Sequence, residues 1–223
     1  AEDDAFKRVQ ASFRKLLSAC RTHKAALRIG VNHGSLSQRI IRQYGNTPEG
    51  MTESAMEFLR VCRSEDFDQV VVSMKSSNIL VMVQATRLMV RKMKEEGMDY
   101  PLHLGVTEAG GGEDGRIKSA AGMGALLADG IGDTIRVSLT EDPVAEIPVA
   151  KKLIDHIEDL KSHTKLPEPD RYFVNPYEQH KRPVNTTAYA EGRNIPMVIG
   201  EVASDITATE EHLSDFGLSL IHI

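Results

Sequence analysis

Three cations lie within or at the end of short apolar runs. Arg28 lies in Leu27-Arg-Ile-Gly-Val-Asn32, Lys75 ends Val70-Val-Val-Ser-Met-Lys75, and Arg136 lies in Thr134-Ile-Arg-Val-Ser138. Asn32, Ser73 and Ser138 accompany them as neutral hydrogen-bonding groups. Guanidinium and ammonium groups that converge in a low-dielectric mouth require an anion, and phosphate or diphosphate matches the planar fork of arginine. Each charged hydrogen bond contributes roughly 1.5–3 kcal/mol. The plainer alternative is that each cation pairs with a carboxylate at the rim, contributing little. A fourth run, Leu102 to Val106, leads into Glu108 and then Gly110-Gly-Gly112. Partial burial would suit Glu108 to giving up a proton, whereas a nearby Lys75 or Arg136 would hold it as a carboxylate. Lys75 could instead serve as a Schiff-base lysine if its neighbours favour the neutral amine.

Gly110, Gly112 and Gly115 match the letters of the dinucleotide fingerprint G-x-G-x-x-G. Glu113 and Asp114 would face a pyrophosphate with the wrong charge, and Asp133 starts a strand rather than ending one, so a flexible loop close to a ligand is the better reading. His33 and His103 could face the same mouth, but no histidine pair has metal-ligand spacing.

The elements that must position these groups alternate. Residues 3–22 carry apolar positions at helical spacing (Phe6, Val9, Phe13, Leu16, Leu17, Cys20). A strand at 26–32 follows, then Thr47-Pro-Glu49, a capping hydroxyl with proline at the first helical position, opening a helix to about Arg63. A strand at 69–75 leads through Ser76-Ser-Asn78 to a long helix closed at Gly97. A strand at 101–107 leads to a helix from about Arg116 to Asp129. A strand at 133–139 leads to Asp142-Pro143 and a helical region interrupted at Pro148 that ends near Ser162. Strands joined by helix-length crossovers form a parallel sheet. Polar residues alternate with Leu, Ile and Val within the strands, and cations inside them suit the interior of a barrel near its mouth.

The expected fold class is therefore α/β, about half of a TIM (β/α)8 barrel with about four parallel strands over residues 1–162. A complete barrel needs about eight strands, so the chain reads as a fragment. Residues 163–223 are expected to be a separate, partly irregular region: the prolines at 167, 169, 176 and 183 mark extended loop, 195–200 is a lone candidate strand, and 204–213 is weakly helical. Leu218 to Ile223 complete no pattern and read as appended, adapter-derived sequence.

Composition bounds the function classes. The chain has 223 residues, 41% hydrophobic and 26% charged, which supports a folded core. A net charge of -5 argues against a general nucleic-acid binder. No apolar run reaches the length of a membrane span. Cys20 and Cys62 form neither a disulfide framework nor a metal motif, as expected of a reducing compartment.

Five segments together carry a resemblance: Arg28-Ile-Gly-Val-Asn-His-Gly-Ser-Leu36, Ser73-Met-Lys75, Leu102-His-Leu-Gly-Val-Thr-Glu-Ala-Gly110, Lys118-Ser-Ala120 and Gly132-Asp-Thr-Ile-Arg-Val-Ser-Leu139. Over about residues 20–160 the chain resembles the 4-hydroxy-3-methylbut-2-enyl diphosphate synthases of the non-mevalonate isoprenoid pathway. Asn175-Pro-Tyr-Glu-Gln-His-Lys-Arg-Pro183 is similar to the start of the large insertion of the plant-like, three-domain form. The resemblance implies a TIM barrel, of which residues 1–162 are the second half, that binds 2-C-methyl-D-erythritol 2,4-cyclodiphosphate. It also implies a separate domain holding a 4Fe-4S cluster on three cysteines and a glutamate, and ferredoxin or flavodoxin as electron donor. By that analogy Arg28, Asn32, Lys75, Arg136 and Ser138 grip the diphosphate and Glu108 is the acid that assists loss of the hydroxyl. The cluster ligands would lie outside this chain, which would not turn over alone. The family reading places the protein in a bacterial cytoplasm, or in a plastid if the source bears one, and leaves a homodimer open.

Two other readings compete. One is a barrel lyase or aldolase that acts on a phosphorylated substrate through Lys75. The other is a non-enzymatic half-barrel that pairs its open edges with another chain. Several anion-binding groups are more than a Schiff-base lysine requires, which favours the diphosphate enzyme.

Overall fold

The structure, a computed structural model, describes residues 2–160 and 162. The expectations for residues 163–223, including the separate region, the lone strand and the terminal segment, lie outside the described residues.

Four parallel strands stand in sequence order. β1 (Leu27–Asn32) pairs with β2 (Val70–Lys75) along its whole length, from Leu27 opposite Val70 to Asn32 opposite Lys75. A single bridge, Val72 to Leu102, joins β2 to the chain entering β3 (His103–Leu104), and β3 pairs with β4 (Thr134–Ile135). Sequential parallel strands with helical crossovers are the pattern of a (β/α)8 barrel, here part of one. The third and fourth strands are shorter than the expected 101–107 and 133–139. Among the described residues β4 has no strand on its far side, so pairing beyond Leu104 and Ile135 thins to single bonds. Arg136 N–H donates to Leu104 O at 2.8 Å, Thr107 N–H to Ser76 O at 3.3 Å and Thr140 N–H to Gly110 O at 3.2 Å. These keep the chain extended in the same register without a regular ladder.

Helices cover one face. α1 (Glu2–Thr22) precedes β1 and α3 (Pro48–Ser64) follows it. Thr47 caps α3 by accepting the Gly50 N–H at 3.2 Å, with Pro48 placed where no N–H is needed. α4 (Ile79–Glu95) is capped by Asn78, which accepts from Val81 N–H at 3.2 Å, and Gly97 follows it at φ 67°, the left-handed turn that ends a helix. A seven-residue helix not expected from the sequence, α2 (Gln38–Tyr44), stands before α3 and buries Ile40. A 3₁₀ turn, Pro143–Ala145, leads into α6 (Glu146–Leu160) without interruption. Pro148 falls in the first turn of α6, where a proline removes no intrahelical bond.

α5 (Gly112–Ala128) begins about four residues earlier than expected. The glycine stretch is the start of the helix rather than a free loop. No side chain of its own caps it; the Glu141 carboxylate, 29 residues on, accepts the Gly112 N–H at 2.8 Å and pairs with Arg116 at 2.5 Å. That places a carboxylate where a dinucleotide would need its pyrophosphate. Gly115 serves packing: a Cβ there would lie 2.4 Å from Gly110 O and 2.8 Å from Leu139 Cδ2.

The core lies between the sheet and the helices. β1 contributes Ile29 and Val31, β2 contributes Val70, Val72 and Met74, and the third strand contributes Leu102, Leu104 and Val106. Met51, Met56, Met82, Met89, Met93 and Met123 fill the helix side, flexible side chains that adapt to irregular gaps. On the surface Arg60 ties α3 to the end of α4: it meets Glu53 at 2.5 Å and Glu96 at 2.6 Å.

Two consequences are measurable. Ala at position 115 should cost about 2 kcal/mol in urea unfolding, despite its better helix propensity, because the methyl group meets backbone that cannot move aside cheaply. The Arg60 guanidinium holds the Glu96 carboxyl below its ordinary range. Glu96 therefore contributes stability that is whole above the unfolded carboxylate value and fades as pH falls through the depressed folded value. Glu96→Gln should lose about 1 kcal/mol at pH 7, with the difference from the parent closing as the pH is lowered below about 4.

Candidate functional site

The uncovered face of the sheet carries the chemistry. In β1 the residues Leu27, Ile29 and Val31 turn toward the helices, so Arg28, Gly30 and Asn32 share the other face. The same alternation puts Ser73 and Lys75 of β2 on that face, then His103, Gly105 and Thr107, then Thr134, Arg136 and Ser138. The register aligns these in rows. Gly30 stands opposite Ser73, and Asn32 opposite Lys75. His103 stands opposite Thr134, and the hydrogen bond from Arg136 N–H to Leu104 O carries that register on past β4.

A cleft of about 90 Å³ results, lined by Arg28, Ser73, Lys75, His103, Gly105, Val106, Thr107, Arg136 and Ser138. Two glycines make room. A Cβ at Gly30 would lie 3.3 Å from Lys75 Cε, so the lysine stem crosses β1 where no side chain obstructs it. A Cβ at Gly105 would lie 3.1 Å from Arg136 O, so the glycine allows the fourth strand to come close.

The charges in this cleft are not balanced. Elsewhere several arginines are paired: Arg14 with Glu65, Arg39 with Glu57, Arg60 with Glu53 and Glu96, Arg87 with Asp129, Arg116 with Glu141. Among the described residues no carboxylate lies within 4.0 Å of Arg28, Lys75 or Arg136. Arg136 has only the Ser138 hydroxyl, at 3.4 Å. The rim ion pairs that would have made these cations structural are not formed. The imbalance registers on His103, whose imidazolium is disfavoured first by burial and then by Arg28 and Arg136. Such a cleft can take an anion of phosphate size, with guanidinium, ammonium and hydroxyl donors arriving from four strands.

The structure brings Arg28, Lys75, Arg136 and Ser138 together. It does not bring Asn32 or Glu108 into the wall of the cleft. Asn32 is exposed at the end of β1. Glu108 is exposed too, next in the chain to Thr107, and its φ of 53° puts a non-glycine residue in the left-handed region. That conformation ends the extended chain and turns it toward Gly110. His33 is occupied elsewhere, with Nε2 3.1 Å from Asn46 O. Thr107 and Gly105 are wall residues that were not anticipated; counting by twos from His103 would have found both.

A larger hollow, about 660 Å³, lies on the helix side between α5 and α6, lined largely by apolar groups such as Ile117, Val149 and Leu153. Size alone would favour it. Its charged lining is mixed in sign, Glu113 as well as Lys152, and Arg116 is already paired with Glu141, so the small strand-end cleft is the better candidate for binding an anion.

Nothing here fits a metal cluster. Among the described residues no three His, Cys, Asp or Glu side chains are grouped to hold a metal ion. Cys62 is fully buried on α3 and its thiol is pushed up to about 11 by burial, the opposite of what a thiolate ligand needs.

Comparison with known proteins agrees with the fold. The sequence model described as the GcpE TIM-barrel domain matches residues 6–151. A Bacteroides fragilis protein named 4-hydroxy-3-methylbut-2-en-1-yl diphosphate synthase (flavodoxin) is 54% identical over 198 residues, covering 87% of this chain and 31% of that protein. The protein of the same name from Parabacteroides distasonis is 61% identical over 160 residues, 72% of this chain and 26% of its own length. A Microcystis aeruginosa protein, named as the ferredoxin form, is 59% identical over 152 residues, 68% of this chain and 37% of that protein. The chain thus spans about a third of the length of the curated relatives it matches, and with well over half of its residues inside the matched domain it belongs to the GcpE family.

Proposed function

We propose that the strand-end cleft binds the diphosphate of 2-C-methyl-D-erythritol 2,4-cyclodiphosphate, and that the chain is the substrate-holding part of an enzyme that opens this ring reductively to 4-hydroxy-3-methylbut-2-enyl diphosphate. The observation that carries the reading is the set of three cations, Arg28, Lys75 and Arg136, that share one cleft without a carboxylate among the described residues. The names of the relatives supply the product and the electron donor.

Ring opening suits such a cleft. In the cyclic substrate each phosphate is esterified and carries one negative charge. Breaking one carbon–oxygen bond frees a phosphate oxygen and adds a charge to the diphosphate. Fixed cations then bind the opened form, and the transition state that leads to it, more strongly than the ring, which is how binding becomes catalysis. Ser73, Thr107 and Ser138 add neutral donors that fix the orientation of the phosphates. Glu108, exposed beside Thr107, is proposed as the acid that assists departure of the substrate hydroxyl as water.

The two electrons must come from elsewhere. The described residues hold no site for a cluster, and the chain has only two cysteines. The 4Fe-4S cluster is therefore assigned to ligands outside this chain, with flavodoxin or ferredoxin, the donors in the relatives' names, as its source of electrons. On this reading the 223 residues bind substrate but do not turn it over. A homodimer, and a cytoplasmic or plastid location, belong to the same proposal.

Calorimetry with the cyclic diphosphate tests the site. Arg28→Ala, Lys75→Ala and Arg136→Ala should each weaken binding about 10- to 100-fold; unchanged affinity in all three would overturn the reading. In the cluster-bearing enzyme Glu108→Gln should leave substrate affinity within about twofold while lowering turnover at least about 100-fold, the range for loss of a proton donor. An equal loss in binding and turnover would make Glu108 a substrate contact instead.

A further inference from the structure

His103 has no role in the proposal so far, yet it lies in the wall of the cleft. Its ring is anchored at one end: Nδ1 is 2.8 Å from Thr134 Oγ1, across the β3–β4 pair. That contact fixes the ring plane and leaves Nε2 as the nitrogen without a partner among the described residues. The charged groups that line the cleft with His103 are cations, and Arg28 and Arg136 act on the ring directly. Arg28 comes from β1, Lys75 from β2 beside the neutral Ser73, and Arg136 from the fourth strand. Asp133, the acid at the start of that strand, is engaged by the Leu102 N–H at 2.8 Å. Among the described residues no carboxylate lines the cleft.

We infer that His103 is a fourth cationic contact for the bound diphosphate, with Thr134 orienting the ring and Nε2 donating to the anion, and that the site takes up a proton as the anion enters. The inference rests on the reading of the cleft as a diphosphate site. In the free protein the imidazolium is opposed by burial, Arg28 and Arg136, so the ring gives up its proton more readily than a free imidazole. An anion held between the two guanidiniums cancels their repulsion and adds an attraction of its own. The ring then holds its proton to higher pH than in the free protein. By linkage, binding tightens as pH falls through the range where the bound form is protonated and the free form is not. The device also protects the empty site, since a fourth positive charge would otherwise add to the self-repulsion of three.

The test uses 2-C-methyl-D-erythritol 2,4-cyclodiphosphate, whose esterified phosphates carry no group that titrates between about pH 5 and 8, so that any proton taken up belongs to the protein. Titration of the histidine ring carbons by NMR, with and without ligand, reads His103 directly. The resonance is identified by its loss in His103→Gln, or by its displacement in Thr134→Val should the first variant not fold. Calorimetry in buffers of different ionisation enthalpy counts the protons. The expected results are an upward shift of the His103 titration on binding, net proton uptake near neutral pH, and affinity about tenfold tighter at pH 5.5 than at pH 8. His103→Gln should remove the uptake and the pH dependence together. Ligand that binds, and is lost in Arg136→Ala, without moving the His103 titration would overturn the inference and leave the diphosphate site standing. Binding that is absent, or indifferent to Arg136→Ala, would overturn both.

Discussion

A strand in a parallel sheet has two faces, and its side chains must alternate between them. That constraint organises the molecule. On one face Ile29, Val31, Val72, Met74, Leu102, Leu104 and Val106 are buried against helices, and the hydrophobic effect fixes which residues point that way. The other face inherits whatever is left: Arg28, Ser73, Lys75, His103, Thr107, Arg136 and Ser138. A slip of one residue in β1, β2 or the run through Arg136 would drive a cation into the methionine-rich core, at a cost no local interaction could offset. Core packing thus sets the register, and the register assembles the cationic cleft.

The same constraint explains why the cations can remain unpaired. Each is mounted on a strand whose position is determined by burial elsewhere, so the repulsion among Arg28, Lys75 and Arg136 is carried by the fold as a whole. The other arginines show the contrast. Arg60 and Arg116 link one element to another through carboxylates, and their charge is spent in holding the structure. Those of the cleft are held by the structure and remain available to a ligand. Gly30 and Gly105 belong to this arrangement, since a side chain at either would press on Lys75 or on the backbone of Arg136.

Much of this was legible in the residue order because it is local. The run of three valines in β2, the caps at Thr47 and Asn78 and the glycine after α4 act within a few residues of themselves, as does the strand alternation. What escaped was set by distant partners. α5 starts at Gly112 because Glu141 caps it from beyond the next strand, and glycines without that partner read as a loop. The third and fourth strands looked longer because sequence reports the tendency to extend, whereas a ladder also needs a neighbour. α2 is too short for a clear helical period. The cleft was foreseen in its cations but not in its full wall: Thr107 follows from alternation, whereas the turn at Glu108, which keeps that carboxylate outside, depends on a left-handed φ that nothing in a glutamate announces.

On the function proposed above, the unpaired cations on the open face of the sheet are a diphosphate site, and a crystal structure of the protein with 2-C-methyl-D-erythritol 2,4-cyclodiphosphate would test it. Both phosphorus atoms should lie over the strand ends, with Arg28, Lys75 and Arg136 within hydrogen-bonding distance of phosphate oxygens and the backbone of the four strands unmoved. A diphosphate seated instead in the hollow between α5 and α6, or cleft cations that turn away to carboxylates supplied by the rest of the protein, would contradict it.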